Sequence, residues 1–389
     1  MIQPAIPAPK KRLLTPFNIV ASALLAAGLV ILWIRFTRGL GAVTNLSDPY
    51  PWGLWIGFDV LCGVALAAGG YVLATTVYLF GMEHYRPLLR PAILTGFLGY
   101  FFVVVALLVD LGRPWRIVYP VFYSYGVASV MFLVAWHVFL YLTVQFIEFC
   151  PAVCEWLGWR NARRWVARLT IGATIAGVIL STLHQSALGA LFLLAPTKLH
   201  PLWYSELIPV FFFVSSIMAG LSMVIFESAV SHRLFHTRVE PRHAVNLDRL
   251  TMGLGKAAAI GLFCYFCLKW IGVARGGHWD LLPTPMGLWF LTEMFVFVAL
   301  PCLLFAWGVR TSNAALVRVT GLLTVVGIII NRLNVSVIAF RWNDPERYLP
   351  HWMEFVVTAC IVTMGLLAFR WIVNRMPVLH EHPDFRSIH

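Results

Sequence analysis

Residues 51–70 read PWGLWIGFDVLCGVALAAGG, an apolar run that carries one carboxylate and a row of small side chains. Asp59 is followed at about one-turn spacing by Gly63, Ala67 and Gly70, so these residues share one face of a helix. Small residues on such a face let a second helix or a flat ligand approach the backbone closely. A carboxylate inside an apolar segment is costly and usually faces a bundle interior or a wet cavity. We therefore expect a functional role for Asp59; the alternative is an acid near the interface that pairs with a neighbouring Arg for packing alone.

The composition is that of a polytopic membrane protein. Of the 389 residues, 60% are hydrophobic and 12% are charged, with a mean hydropathy of +0.80, whereas soluble domains carry about 25% charged residues. The net charge of +12 would suggest nucleic acid in a soluble chain, but here it reflects membrane topology, and we expect no nucleic-acid partner. Among the cysteines only Cys264 and Cys267 have a zinc-type spacing, and they lie in the middle of an apolar segment without a partner pair, so we predict no metal site and no disulfide framework.

Hydropathy predicts an all-α fold with about ten transmembrane helices in a single integral membrane domain, residues 1–389. The predicted spans are 17–36, 54–80, 91–111, 126–149, 168–194, 207–230, 251–273, 285–308, 318–340 and 352–373. The first span follows Lys10, Lys11 and Arg12 and lacks a small-residue cleavage site, which favours an uncleaved helix over a secretory signal. With a cytoplasmic N-terminus, eighteen Lys and Arg residues fall inside and eight outside. This bias follows the positive-inside rule and predicts that both termini are cytoplasmic.

The buried polar residues are more numerous in the outer half of the predicted bundle. Asp59 opens the second span near the outer face, and Asp110 closes the third span at the same level. His184 and Gln185 lie in the outer half of the fifth span. The outer parts of spans eight to ten hold Glu293, Asn331, Arg332 and Glu354. Because intramembrane polar residues mark functional sites, we expect a ligand-binding region near the outside.

The fourth predicted helix carries a second polar stripe. His137, Tyr141, Gln145 and Glu148 lie on one face that runs from mid-membrane to the cytoplasmic end. Titratable and hydroxyl groups in such a line can carry protons through water. The alternative is interhelical hydrogen bonding, which contributes about 0.6 kcal/mol per bond in bilayers.

Six motifs carry a resemblance to a known family. They are PWGLWIGFD (51–59), RPLLRPA (86–92), LVDLGRPWR (108–116), STLHQSALG (181–189), KLHPLW (198–203) and VIFES (224–228). With these motifs the chain resembles the NrfD/PsrC family, and within it the HybB-type membrane subunit of periplasmic nickel–iron hydrogenases. The resemblance runs from the first span to the tenth.

The resemblance implies two four-helix bundles, helices 2–5 (residues 54–194) and 6–9 (207–340), flanked by helix 1 (17–36) and helix 10 (352–373). It implies a bacterial inner-membrane protein that exchanges electrons between the quinone pool and a docked periplasmic ferredoxin-like iron–sulfur subunit. The catalytic partner would be an oxidoreductase, and the resemblance points to a nickel–iron hydrogenase. The quinone, menaquinone or ubiquinone, would bind near the outer face, and no haem is expected.

Quinone chemistry moves two protons with two electrons, so an acid or a His must lie within reach of a quinone carbonyl. Asp59 is the first candidate for this group and His184 the second. Asp110 and Arg113 would orient the cluster, since a nearby cation keeps a buried acid ionised. Trp55 would flank a flat ring or serve as an interfacial belt residue. The residues expected around the headgroup are thus Trp55, Gly63, Asp110, Arg113 and Gln185.

One position departs from the family pattern. Relatives often carry Glu where this chain has Leu133, one turn before His137. The stripe on the fourth helix therefore lacks an acid at its outer end. Proton translocation along this line stays an open expectation.

Two other functions remain as alternatives. A haem b cytochrome needs axial His ligands, but His137 and His184 lie at different depths, which disfavours one shared haem. A secondary transporter or proton channel would use the buried charges as a substrate route, yet the sequence lacks a matching pair of broken helices. Walker A and dinucleotide-binding motifs are also absent from the sequence, which argues against nucleotide-driven transport.

Overall fold

The computed structural model describes residues 15–239, 241–380 and 385, and this part of the chain is almost entirely helical. An isolated antiparallel β-bridge joins Leu199 and Phe340. The basic residues at 10–12, on which part of the predicted topology rests, lie outside the described residues.

Ten helices of the described chain are long and apolar enough to cross a membrane, which confirms the predicted all-α polytopic fold. They are α1 Pro16–Arg38, α2 Trp55–Leu79, α3 Glu83–Asp110, α4 Val130–Leu157, α5 Arg160–Leu194, α6 Ile208–Leu234, α7 Asn246–Gly276, α8 Pro285–Arg310, α9 Ala314–Ile338 and α10 Trp352–Arg375.

Several helices extend beyond the predicted spans. Helix α3 begins at Glu83 rather than at 91, and α5 begins at Arg160 rather than at 168. Helix α4 continues to Leu157 although Pro151 lies inside it. Hydropathy marks only the lipid-facing part of a helix, whereas Arg and Lys at its ends can reach the interface along their apolar stems. The sequence therefore underestimated the length of these helices.

Helix α2 lies at the centre of the molecule. In its most apolar window 72% of the residues are buried, against 17% in α1. It packs against α3, α6 and α9, while α1 and α10 pack on each other and α10 also contacts α3. A Cβ at Gly220 of α6 would lie 2.7 Å from the Gly69 backbone nitrogen of α2. The two backbones therefore touch, as small residues allow between membrane helices. The division into two four-helix bundles stays a prediction.

Helices α2, α8 and α9 contain π-helical stretches, which often accompany functional sites. They are Trp55–Cys62 and Thr75–Leu79 in α2, Phe295–Ala299 in α8 and Asn334–Ile338 in α9. The first contains Asp59, and the stretch in α8 begins two residues after Glu293. The extra residue in each π turn shifts the side chains that follow it to a new face of the helix.

Three connecting segments, 39–54, 195–207 and 339–351, meet at one end of the molecule, which we call the cap end. The His200 amide donates to Ala339 O at 2.9 Å, and the Arg341 amide donates to Lys198 O at 2.5 Å. Trp52 stacks on Phe340, with ring centroids 6.2 Å apart. The cap end thus joins the starts of α2, α6 and α10.

A buried carboxylate joins three helices at the opposite end. Glu155 of α4 is 2% exposed and accepts two hydrogen bonds from Arg90 of α3, at 2.8 and 2.9 Å. Arg163 of α5 donates to the same carboxylate at 3.0 Å. Arg90 also donates to Pro377 O at 2.9 Å, which attaches the chain after α10. This group fixes α3, α4 and α5 to one another.

We predict that Glu155→Gln lowers the free energy of unfolding by about 3 kcal/mol, because two Arg side chains lose the charge that they face. The measurement is thermal unfolding of the purified protein in detergent. Glu206→Gln is the matched control, since its pair with Arg275 is exposed on both sides, and exposed pairs contribute at most about 1 kcal/mol. Equal melting temperatures for the two variants would contradict this account.

Candidate functional site

Asp59 lies in the π-helical start of α2, near the cap end. Its side chain is buried but keeps 7% exposure. Thr358 Oγ1 of α10 donates a hydrogen bond to Asp59 Oδ2 at 3.0 Å. Asp59 therefore faces α10, and the hydroxyl of Thr358 fixes the direction of its carboxylate.

A second acid and a cation lie beside Asp59. Asp110, at the end of α3, is close enough to interact electrostatically with Asp59, and Arg35 of α1 attracts Asp110. Arg35 Nε donates to Val109 O at 2.7 Å, so the guanidinium also binds the free carbonyl groups at the end of α3. Asp110 Oδ1 is buried and has no hydrogen-bond partner among the described residues.

The cation beside Asp110 differs from the one that the sequence suggested. Arg113 is exposed in the segment after α3, and Arg35 occupies the position expected for it. The signal for Arg35 was present in the sequence, because it is a basic residue in the last turn of an apolar helix. Sequence proximity favoured Arg113, whereas the packing of α1 on α10 and the bond from Arg35 to Val109 O bring Arg35 to the end of α3.

Trp55 is buried against α10 rather than placed at an open cleft. Its indole Nε1 donates to Glu354 O at 3.1 Å, and the ring is 2% exposed. The Glu354 carboxylate accepts from the amides of His351 and Asn45, at 2.9 and 3.2 Å. Trp55 and Glu354 therefore lock the start of α2 to the start of α10, which positions Asp59 one turn further on.

Tyr348 completes this lock at the cap end. Its hydroxyl donates to the Glu354 carboxylate and accepts from the Leu54 amide at 3.0 Å. Burial, together with the Glu354 carboxylate, raises the pKa of Tyr348 far above its ordinary value. The hydroxyl therefore stays protonated and keeps donating to Glu354.

The small residues of α2 receive another helix. A Cβ at Gly63 would lie 2.7 Å from Val103 Cγ2, and one at Gly70 would lie 3.3 Å from Ala92 O. Both neighbours belong to α3. Of the two occupants that the sequence allowed, a helix and a flat ligand, the structure places a helix against this face. Gly63 therefore acts in helix packing.

His184 and Gln185 form a separate network inside α2–α5. His184 is fully buried, and its Nε2 lies 2.5 Å from Tyr100 Oη. His184 Nδ1 lies 2.9 Å from Leu180 O, which can only accept, so Nδ1 carries the proton and Nε2 accepts from Tyr100. Gln185 Nε2 donates to Val64 O at 3.0 Å. His184 and Asp59 thus belong to different hydrogen-bond networks.

The polar stripe of α4 connects with this network. Tyr141 and Gln145 are fully buried, and Gln145 Nε2 donates to Tyr141 Oη. The Tyr141 ring lies 5.4 Å from the His184 ring. At the ends of the stripe, His137 Nδ1 is buried without a hydrogen-bond partner among the described residues, and so is Glu148 Oε2. Thr174 donates to the other Glu148 oxygen at 3.2 Å.

Glu148 borders a cavity of about 250 Å³ at the opposite end of the molecule. Its wall also includes Tyr78, Arg90 and Arg163. A cavity of this size and polarity holds several water molecules. The Glu148 end of the α4 stripe therefore has access to water.

A further polar cluster lies among α6–α9. The sequence indicated it only by placing Glu293, Asn331 and Arg332 in the outer parts of their predicted spans. Glu293 and Arg332 are each 1% exposed, and Lys269 is 3% exposed. Lys269 lies inside the predicted seventh span, 251–273. Three charged side chains buried together in an apolar bundle are the signal that could have identified this cluster.

Residues 42–339, about three quarters of the chain, match the family described as Polysulphide reductase, NrfD. The chain belongs to the NrfD family. Its relatives include the probable Ni/Fe-hydrogenase 2 b-type cytochrome subunit of Escherichia coli, 29% identical over 89% of this chain and 88% of that protein. Another NrfD relative is the integral membrane subunit of menaquinone reductase from Nitratidesulfovibrio vulgaris, 26% identical over 92% and 90%. A further protein of that organism is 54% identical over 97% and 98%.

The structure brings titratable and hydroxyl side chains together at two places in this NrfD-family chain. Near the cap end, Asp59 and Asp110 form a pair of acids with Arg35 beside them. In the interior, Tyr100 and His184 are hydrogen-bonded, and the Tyr141 ring packs edge-on against the Tyr100 ring with centroids 4.6 Å apart. Among the described residues, no group of three or more His, Cys, Asp and Glu side chains is arranged to hold a metal ion.

We predict that low pH loosens the cap end through His200. This ring is 2% exposed, and its Nδ1 accepts from the Leu202 amide at 3.2 Å. Burial, and then the charge of His278, lower the pKa of His200 to about 4. The unfolded chain, with a His pKa of about 6.5, binds the proton first, so stability falls as pH drops from about 6.5 toward 4.

The measurement is the unfolding temperature as a function of pH for the wild type and for His200→Asn, which can keep an acceptor for Leu202. We expect a smaller decrease between pH 7 and pH 4 in the variant. Parallel curves for the two proteins would show that His200 does not control the cap.

Proposed function

We propose that this chain is the quinone-reactive membrane subunit of a respiratory oxidoreductase. In this role it passes electrons between a docked iron–sulfur partner and the quinone pool, menaquinone or ubiquinone. Membership of the NrfD family and the relatives that function in menaquinone reductase and hydrogenase support this proposal. The observation that carries it is Asp59, an acid in a central membrane helix that keeps 7% exposure near the cap end.

The acids near the cap end fit a quinone headgroup. Asp110 Oδ1 is buried without a partner among the described residues, and such an atom costs about 1–3 kcal/mol unless a donor reaches it. A quinol hydroxyl is a donor of this kind. Asp59 accepts one bond from Thr358 and retains capacity to exchange a proton.

A bound quinone supplies two-electron, two-proton chemistry. We propose that Asp59 holds the proton that a headgroup oxygen gains or loses. Thr358 orients the carboxylate, and Trp55 fixes the turn that carries it. Asp110 and Arg35 set the local charge. His184 and Gln185 contribute from the interior network rather than from the headgroup site.

Asp59→Asn is expected to lower quinone-linked turnover about 100-fold or more, because the amide cannot exchange the proton. The assay compares quinone-linked with dye-linked activity of the purified complex. Dye-linked activity and the amount of assembled complex should stay at wild-type levels. Asp48→Asn, an exposed acid at the cap end, is the control and should retain both activities. Unchanged quinone-linked turnover in Asp59→Asn would exclude Asp59 from the mechanism.

We further propose that the cap end faces the periplasm of a bacterial inner membrane and that both termini are cytoplasmic. The bias of Lys and Arg toward the opposite side supports this orientation. The cavity beside Glu148 would then open toward the cytoplasm. The stripe His137, Tyr141, Gln145 and Glu148 is the proposed proton path between this cavity and the interior network. At its periplasmic end the stripe begins with His137, because the residue one turn earlier is the apolar Leu133.

Glu148→Gln tests the path. We expect quinone-linked turnover to continue while the number of protons moved per electron pair falls, because the amide cannot relay a proton from the cavity. The measurement uses the complex in vesicles with an internal pH-sensitive dye. Asp248→Asn, an exposed acid at the same end, serves as the control. An unchanged ratio in Glu148→Gln would contradict the path.

The partners that we propose are membrane lipid, a periplasmic ferredoxin-like iron–sulfur subunit and a catalytic oxidoreductase, specifically a nickel–iron hydrogenase. Arg113, Trp115 and Tyr123 are exposed after α3 at the cap end and could receive the iron–sulfur subunit. Mass spectrometry of co-purified subunits tests this assignment. A nitrite or polysulfide reductase subunit in place of the hydrogenase would overturn it.

We also propose that the chain binds no haem, although one relative is named a b-type cytochrome subunit. Both ring nitrogens of His184 are engaged, with Tyr100 and with Leu180 O, so a haem held by two axial His ligands would lack His184 and have only His137 of this pair. A Soret absorption band in the purified subunit would contradict this proposal.

A further inference from the structure

The cluster among α6–α9 is built around the carboxylate of Glu293. Trp203 Nε1 donates to Glu293 Oε2 at 2.7 Å, and Asn334 Nδ2 donates to the same oxygen at 2.5 Å. Asn331 Nδ2 donates to Oε1 at 2.6 Å. An indole N–H can only donate, so Trp203 requires an acceptor at this position. Glu293 thus provides one negative charge that three donors hold in place.

Arg332 provides a fixed positive charge next to it. Its guanidinium donates to Asn331 Oδ1 at 2.9 Å and to Ser215 Oγ at 2.8 Å, and it lies 3.8 Å from the centroid of the Phe212 ring. Asn331 therefore bridges Arg332 and Glu293. An Arg side chain stays protonated in proteins, so the charge of Arg332 is constant.

Lys269 is the second cation of the cluster. Its Nζ lies 5.2 Å from the ring centroid of Phe211 and 5.3 Å from that of Phe290, so two aromatic faces receive the ammonium. The charged groups that act on it are Glu293 from α8 and Arg332 from α9. Helix α6 presents the Phe211 ring. The neighbouring titratable group on α7 itself is Tyr265, one turn earlier.

These charges do not cancel when Lys269 is protonated. Two cations and one carboxylate leave one positive charge deep in an apolar bundle, and such a charge is costly. Arg332 cannot release its proton, and three donors engage Glu293. Lys269 is therefore the member whose charge can change, since a buried Lys titrates more readily than Arg.

A small cavity lies beside the cluster. Its volume is about 10 Å³, and Tyr265, Glu293 and Asn331 line it together with Ser215 of α6. This volume is at the limit for a single water molecule, and the polar lining offers that water enough partners. Lys269 is not part of this wall, so the cavity reaches the cluster through Glu293.

We propose that Lys269 is a proton-exchanging residue of a second proton site, formed with Glu293 and Arg332 among α6–α9. In the exchange, one Nζ–H bond breaks, the nitrogen keeps the electron pair as a neutral amine, and the proton passes through the neighbouring Glu293 carboxylate to water in the cavity that Glu293 lines. The reverse step restores the ammonium. The cluster alternates between one net positive charge and none.

This site lies against the acid of α2. Ser336 Oγ donates to Arg332 O at 2.7 Å, and a Cβ at Gly57 would lie 2.4 Å from Ser336 Oγ. The turn that carries Arg332 therefore packs against α2 two residues before Asp59. The charge state of Lys269 therefore affects proton exchange at Asp59, an inference that rests on the proposed function.

The experiment compares Lys269→Met, which is never charged, with Lys269→Arg, which is always charged, in the intact complex. Lys256→Met is the matched control, because Lys256 is exposed on the same helix. Quinone-linked turnover is measured as a function of pH, with dye-linked activity as the measure of assembly. We expect both Lys269 variants to lose the same limb of the wild-type pH profile, while Lys256→Met keeps it.

Other results would overturn the proposal. If Lys269→Arg keeps the wild-type pH profile of turnover, a fixed positive charge at this position is sufficient for activity. If Lys269→Met keeps it, no charge is needed there. A uniform loss at every pH would show a structural role. If the wild type lacks quinone-linked turnover, the proposed quinone function fails. Acid–base titration of the complex then tests the proton exchange of Lys269 by itself. Wild type should then release one more proton than Lys269→Arg between about pH 6 and 10, and equal release would refute it.

Discussion

The lipid interior offers no water to polar groups, so a buried polar side chain of this protein needs a partner inside the protein, and several of these partners come from another helix. Glu293 has three such donors, from α9 and from the segment before α6. His184 has Tyr100 of α3 and the backbone of its own helix. These bonds select which helices meet, because apolar surfaces alone pack equally well against lipid.

The same constraint separates structural from exchangeable groups. Glu155 is matched by two Arg side chains and acts as a structural anchor. Asp110, Glu148 and His137 each keep a buried polar atom without a partner among the described residues. An atom of this kind is expensive unless water, a proton or a ligand reaches it in some state of the protein. These three groups lie along the two routes on which the proposed quinone and proton chemistry depends.

Much of the fold could be predicted from the sequence, because lipid leaves few alternatives to long apolar helices. That Asp59 and His184 lie inside helices long enough to cross a membrane also followed from the sequence. Their contacts did not follow. Arg35 rather than Arg113 reached Asp110, and Trp55 faced α10, because helix rotation and neighbour choice depend on side-chain packing that hydropathy does not contain. Lys269 shows the same limit, since a charge within a span can mark either a helix end or a buried cluster.

The central claim is that a quinone headgroup binds beside Asp59, between α2, α3 and α10. The most direct measurement is photo-crosslinking of the complex with a photoreactive quinone analogue, followed by mass spectrometry of the labelled peptides. The account predicts labels on residues of α2 and α10 near Asp59 and Thr358, and competition by unlabelled quinone. Labels confined to other helices, such as α6–α9, with none on α2 or α10, would contradict it.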